Sequence, residues 1–190
     1  MHKYSCDSDR RDAVHFVSLA VCAIVTFALV YCIDCALGGI NIIIDFLLFL
    51  VPFGPFLFWI SFANGLSPSL LRLSGIRDCS GKYEGELKTN YDEFKKNHQV
   101  TLIIYHKFLE MEIELITETS KSYSKTASLR QDGKRTEIVY TYENQGSIEK
   151  GLNSHIGTCI ITIDGDSLEG KYYTHPERKS YGSIVAKKSY

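Results

Sequence analysis

The chain predicts a membrane α-helical hairpin followed by an all-β domain, a small antiparallel up-and-down β-barrel of about eight strands. Three observations carry that reading. Two long apolar runs lie between Ala13 and Ala63, where Asp34 and Asp45 are the only formal charges. From Gly81 onward the hydrophobic period changes to two, the alternation of a half-buried strand. The connections between the alternating segments are mostly short and rich in turn residues, and no convincing helix interrupts them.

Residues 1–12 form a short polar segment, expected as a cytoplasmic tail, in which Lys3, Arg10 and Arg11 face Asp7, Asp9 and Asp12. Ala13 to Ile33 then runs without a formal charge for about 21 residues, which matches one bilayer crossing. A signal peptide would have a shorter apolar core and a small-residue cleavage site, so the segment is expected as a permanent anchor. A polar turn containing Gly38 and Gly39 leads into a second apolar run, Ile42 to Ala63. Pro52, Gly54 and Pro55 interrupt that run and predict a kink. Asp45 has two readings: a polar group inside the membrane that lines a path or joins subunits, or a carboxylate that reaches water at the nearby interface.

Lysine and arginine flank the hairpin at Lys3, Arg10, Arg11, Arg72 and Arg77, and the connecting turn has none. The positive-inside rule then puts both termini in the cytoplasm, with residues 13–63 spanning twice. Cysteine usage agrees. Of six cysteines only Cys79 and Cys159 fall in or beside the β region, a poor disulfide framework that suits a reducing compartment. Residues 64–79 read as a juxtamembrane linker, in which Ser67 caps a short helix with Pro68 at its first position and Leu70, Leu71 and Leu73 lie on the membrane surface.

Residues 80–190 supply the strands. Gly81 to Lys88 opens the series, and Gln99 to Lys107, Glu110 to Thr117, Lys121 to Arg130, Lys134 to Glu143, His155 to Asp164, Ser167 to Thr174 and Lys179 to Lys188 follow. Alternation turns Tyr83, Met111, Ile113, Leu115, Ile138, Tyr140, Tyr142, Cys159, Ile161, Ile163, Leu168, Gly170 and Tyr172 inward. A small barrel either fills its interior with side chains or holds one small ligand. Inward tyrosines need hydrogen-bond partners, which a polar aromatic ligand, each other or water can supply. Along Lys121 to Arg130, Ser122, Ser124, Thr126 and Ser128 share one face. Turned inward they would make a polar wall suited to phosphate, ribose or base, and turned outward a solvated strand.

Charge and motifs exclude several functions. Lys and Arg total 21 against 22 Asp and Glu, and the β region is balanced by itself, so DNA and RNA polymers are not expected partners. There is no G-x-S-x-G elbow, phosphate loop, H-E-x-x-H or dinucleotide fingerprint. His98, His106, His155 and His175 lack ligand spacing, and Cys32-x-x-Cys35 ends a membrane helix rather than opening a βαβ unit. The chain is expected to be no enzyme and to need no cofactor or metal.

An ordered set of motifs nevertheless points to a family. After the two apolar segments come Gly81-Lys82-Tyr83-Glu84-Gly85, Tyr140-Thr141-Tyr142-Glu143-Asn144, His155-Ile156-Gly157-Thr158, Leu168-Glu169-Gly170-Lys171-Tyr172-Tyr173-Thr174 and Tyr181-Gly182-Ser183-Ile184. The glycine-aromatic-glycine opening is lipocalin-like. The whole order resembles the two-transmembrane, β-strand-rich effectors of CBASS, the bacterial cyclic-oligonucleotide antiphage signalling systems. That resemblance implies an inner-membrane protein whose cytoplasmic barrel binds a cyclic dinucleotide made by a partner CD-NTase nucleotidyltransferase. Binding would drive homo-oligomerisation of the hairpins, disruption of the lipid bilayer and death of the infected cell. On this reading Tyr83, Ser124, Thr126, Tyr140, Tyr142 and Tyr172 line the pocket, and Arg130 or Lys171 meets phosphate at the rim. The alternative is a membrane-tethered carrier that holds a lipid or fatty acid in the same barrel.

Overall fold

A computed structural model describes residues 1–37, 59–60, 63, 65–145, 154–174 and 179–190. The chain divides into two compact units, Ser8–Ile76 and a β unit made of Met1–Asp7 with Arg77–Tyr190.

Within the first unit, α1 spans Asp9–Leu37. Ser8 starts it by accepting at its hydroxyl from the Arg11 amide, and Asp9 and Asp12 place negative charge in the first turn. From Ala13 to Ile33 the helix carries no formal charge and leaves Phe16, Ile24 and Phe27 exposed. A helix with such a surface has the composition of a membrane span, and Asp9–Ile33 is long and apolar enough to cross one. Its polar side chains are satisfied from within: Ser18 donates to the His15 carbonyl and Thr26 to the Cys22 carbonyl. Trp59 packs edge-on against His15 at 4.4 Å and donates its indole N–H to Ser18. The second expected span, the kink and Asp45 lie outside the described residues.

Helix α2 is Ser67–Leu73, with Pro68 in its first turn. Two details correct the sequence reading. Leu66 rather than Ser67 stands at the N-cap, without a side-chain cap, and Ser67, Leu70 and Leu71 are buried while only Leu73 is exposed. The linker also ends sooner than expected. Arg77 already belongs to the β unit, donating from its guanidinium to the carbonyls of Lys134 and Gly165 and from its amide to Gln131.

The β unit contains β1 (His2–Cys6), β2 (Gly81–Thr89), β3 (His98–His106), β4 (Glu110–Thr117), β5 (Lys121–Asp132), β6 (Arg135–Gln145), β7 (His155–Asp164), β8 (Ser167–Thr174) and β9 (Tyr181–Ser189). Each strand from β2 to β9 pairs antiparallel with the next, and β9 returns to β2, so the pairing runs in a closed circuit. Closure leaves no long free edge. Two-residue turns join β5 to β6 and β7 to β8, with Gly133 and Gly165 at positive φ where a side chain would be strained.

The expected tail of residues 1–12 is corrected at its start, because His2–Cys6 is a strand of the β unit. Strands β4 and β5 pair only between Glu114–Ile116 and Lys121–Tyr123, then splay. Strand β1 fills the gap, antiparallel to β4 at Met111 and Glu110 and parallel to β5 at Ala127 to Leu129. Tyr4 is its anchor. The phenol donates to the Phe108 carbonyl at 3.3 Å and lies 3.0 Å from His106 Nε2. Because His106 Nδ1 accepts from the Cys79 amide, its proton sits on Nε2 and is donated to Tyr4.

That end of the β unit is packed solid. Leu102, Ile104, Phe108, Met111, Ile113, Leu129, Ile138, Ile161, Ile163 and Leu168 are each under 2% exposed, and a fully buried side chain of this kind contributes about 1.5–3 kcal/mol. Arg77 lies at this closed end, beside the β5–β6 turn.

Candidate ligand-binding cavity

At the opposite end the inward side chains become polar and leave a cavity of about 330 Å³. Its floor is apolar: Leu87 from β2, Leu115 from β4, Cys159 from β7 and Ile184 from β9. Tyr140 and Tyr142 from β6 and Tyr172 from β8 form aromatic walls. Thr89, Thr117, Thr119, Ser120, Ser122, Thr174 and Ser180 bring hydroxyls, and Asn144, His98 and His155 further polar groups. Glu118 is the only formal charge among these lining residues, and none is Lys or Arg. The volume sits at the small end of the roughly 300–1,000 Å³ typical of ligand pockets.

Two glycines make room for the walls. Tyr142 faces Gly157 across the β6–β7 pair, and Tyr172 faces Gly182 across β8–β9. A Cβ on Gly157 would lie 2.5 Å from the Tyr142 phenol, and one on Gly182 would lie 2.6 Å from the Tyr172 ring. The rings therefore occupy the space that a side chain would take on the neighbouring strand. They lie against the wall and leave the interior open.

The aromatic groups are neutral donors. Burial pushes the Tyr140 phenol well above its ordinary value, with the nearby Cys159 acting in the same direction. The Cys159 thiol, opposite Tyr140 in register, is pushed up by burial to about 11. Tyr140 and Tyr142 stand 6.2 Å apart with tilted rings, and His155 meets Tyr142 edge-on at 6.4 Å. At the mouth His98 Nε2 contacts the Asp92 carboxylate at 2.8 Å.

A hydrogen-bond cluster adjoins Asn144. The Thr117 hydroxyl donates to the Ser120 carbonyl at 3.2 Å and accepts from the Thr119 and Ser120 amides at 3.3 and 3.1 Å, with the Ser120 hydroxyl 3.1 Å away. The Ser120 oxygen accepts from Asn144 Nδ2, 3.1 Å away. Asn144 Oδ1 is buried beside the cavity with no hydrogen-bond partner among the described residues. Leaving such an acceptor unpaired costs about 1–3 kcal/mol.

Of the residues expected to bind ligand, Tyr140, Tyr142 and Tyr172 line the cavity and the others sit elsewhere. Tyr83 belongs to the closed end, where its hydroxyl donates to the Cys79 carbonyl and Lys188 lies over its ring. Burial first, then neighbouring groups including Cys79, push its phenol up to about 12. Ser124 is buried in the seam, accepting from the Ile113 amide and touching His2. Thr126 faces outward against Thr141, and Arg130 and Lys171 are exposed on outward positions. The hydroxyl face of β5 is broken by a bulge between Ser124 and Thr126. An extra residue reverses the alternation, so Ser122 and Ser124 point in while Thr126 and Ser128 point out. Asn144, Ser122, Leu87 and Thr174 join the site by continuing the period-two faces of Tyr142, Ser124, Tyr83 and Tyr172. Thr117, His155 and His98 likewise continue the period-two faces of Leu115, Cys159 and Val100, while Ser120 comes from the β4–β5 turn, where alternation gives no direction.

A β domain with one end packed and the other opening on a neutral aromatic cavity has the build of a small-ligand receptor. The family model described as Cap15, cyclic dinucleotide receptor domain, matches residues 74–188, and the chain belongs to that family. CD-NTase-associated protein 15 of Staphylococcus schleiferi is similar, 33% identical over 104 residues that cover 53% of this chain and 56% of that protein. The chain thus matches about half the length of that curated relative. The motif order that resembles CBASS effectors and the family match agree.

Proposed function

We propose that this chain is a non-enzymatic antiphage effector that binds a cyclic dinucleotide in the open end of its β domain. Binding drives its apolar helices to assemble and disrupt the bacterial inner membrane. The observation that carries the reading is the family match over residues 74–188, which includes the strands that build the cavity. The cavity supports it with tyrosine ring faces for stacking and hydroxyls for ribose and phosphate. A fatty-acid carrier would want an apolar interior and an arginine for the carboxylate, whereas the described residues that line this cavity include many hydroxyls and no Arg.

A route from ligand to helix runs along β5. Ser122 lines the cavity, and two residues on Ser124 holds the Ile113 amide and His2 of β1. Strand β1 continues through Asp7 and Ser8 directly into α1. A ligand that shifts the start of β5 therefore pulls on the strand that leads into the membrane segment. The nucleotide itself would come from a partner CD-NTase nucleotidyltransferase.

The test uses the full chain in lipid nanodiscs. Its thermal midpoint is measured against cyclic di- and trinucleotides, with fatty acids included as competitors. A ligand that binds only the folded state stabilises it by about 2.7 kcal/mol at a hundredfold excess over Kd, and the same ligand should release dye from vesicles carrying the protein. A shift with fatty acids alone would make the protein a carrier. No shift with any cyclic nucleotide would refute the receptor reading.

A further inference from the structure

We propose that a second base-binding subsite lies at the mouth of the cavity, where Tyr91 stacks on one nucleobase of a cyclic dinucleotide while the other base occupies the interior. The inference rests on the cyclic-dinucleotide reading and deepens it. Tyr91 lies in the β2–β3 connection and lines the cavity, yet it is 79% exposed. It differs in this from the wall residues Tyr140 and Tyr142, which are buried. A single exposed aromatic is ordinary on a protein surface. This one is set apart by its place and by how firmly the chain around it is fixed.

Thr89 accepts the Tyr91 amide at its hydroxyl and the Phe94 amide at its carbonyl. Asn90 bridges to the chain at the start of β9, donating from Nδ2 to the Lys179 carbonyl and accepting the Tyr181 amide at Oδ1. The Phe94 and Tyr181 rings meet at 5.8 Å. Held in this way, Glu93 and Phe94 both keep positive φ, 56° and 61°. Two successive non-glycine residues in the left-handed region carry strain that a loosely held loop would relax, and such strain gathers at ligand clamps. Tyr91 is therefore presented on a preformed shelf, which lowers the ordering cost of binding.

Size supplies the occupant. The cavity of about 330 Å³ stands at the small end of ligand pockets, whereas a cyclic dinucleotide carries two nucleosides joined in one sugar–phosphate ring. With one base inside, the ring keeps the other at the mouth. There a flat side chain must cover its face, and Tyr91 is the exposed aromatic among the described lining residues. Stacking is tolerant of sequence because every base has a π-face. The subsite thus favours a two-base ligand over a single nucleotide without choosing the base.

The experiment measures the affinity of the full chain in nanodiscs for cyclic di-AMP, cyclic di-GMP and cyclic di-UMP, and follows the tightest through Tyr91 variants. Tyr91→Ala should weaken it roughly 5–150-fold, the range for losing one base–aromatic stack. Tyr91→Trp should keep wild-type affinity, while Tyr91→Leu, apolar but not planar, should bind like the alanine variant. Ligand-free thermal midpoints should all stay at wild type, because the ring is exposed. An analogue of the same ligand with hydrogen in place of one base should bind wild type and Tyr91→Ala alike. If Tyr91→Ala keeps wild-type affinity for the two-base ligand, or Tyr91→Leu binds as well as Tyr91→Trp, no stack forms. If Tyr91→Ala weakens the one-base analogue as much as the two-base ligand, Tyr91 acts on the cavity rather than on a second base. Those results leave the receptor reading intact, whereas a wild type that binds none of the cyclic dinucleotides removes both.

Discussion

Glycine does as much as tyrosine to shape this site. Gly157 and Gly182 each sit directly across a strand pair from a wall tyrosine, and each is also crowded by backbone: the Tyr173 carbonyl 2.5 Å from a Cβ on Gly157, the Lys88 carbonyl 2.0 Å from one on Gly182. Gly157→Ala should therefore push the Tyr142 ring into the cavity and strain the sheet. Overpacking of this kind costs about 1–3 kcal/mol, and the intruding ring should weaken ligand binding at least tenfold by occupying the ligand's space. Paired measurements of thermal midpoint and ligand affinity check both effects. A fall in stability with unchanged affinity would mean that Tyr142 does not set the cavity's width. Period-two reading placed Tyr142 and Tyr172 on the inner face from the sequence. It did not show that glycines opposite them hold the rings against the wall, because that depends on cross-strand register.

At the scale of elements, the bulge in β5 decides which hydroxyls face the cavity. Ser122 and Ser124 precede it, and Ala127 and Leu129 follow it, all buried. Lys125 is the inserted residue, and its ammonium pairs with Glu143 on the surface at 2.6 Å. Deleting Lys125 would restore strict alternation and force one half of the strand to turn over. The half that follows carries Leu129, fully buried at the closed end, and removing such a side chain from a core costs about 2–5 kcal/mol. The deletion should lower the urea midpoint accordingly, whereas Lys125→Ala, which removes only an exposed ion pair, should move it little. Equal midpoints for the deletion and wild type would show that the bulge does not decide which side chains of β5 are buried. An isolated strand of Ser, Tyr, Lys and Thr gives no sign of where its alternation breaks, since either face is acceptable to water.

For the molecule as a whole, the consequential feature is that the β unit is discontinuous in sequence. Strand β1 precedes the apolar helix α1 and the other strands follow it. A fragment that starts at Arg77 would lack β1, open the seam between β4 and β5, and expose unpaired strand edges. It should melt well below the full chain and aggregate, and a peptide of residues 1–7 added in trans should restore part of the lost stability. Within the full chain, Tyr4→Ala should cost about 3–5 kcal/mol, the range for emptying a buried aromatic site. Circular dichroism melts of the full chain, the fragment with and without the peptide, and the Tyr4→Ala variant test this. A fragment that melts with the full chain would reduce β1 to an ornament on a complete sheet and remove the route from β5 to α1.

The sequence by itself determined the apolar segment of α1, the strands β2 to β9 to within two residues at each end, and most of the buried face. Each is a local pattern: charge-free length for a bilayer, period two for a half-buried sheet, Gly and Asp at turns. The resemblance in motif order reached the same family as the family match. Only the tertiary structure decided that His2–Cys6 closes the seam of the strand circuit, that Tyr83 packs the closed end and that Asn144 lines the open one. Those outcomes depend on register and on which side chains meet across strands far apart in the chain. A linear pattern carries the period of a strand but not its position around a barrel.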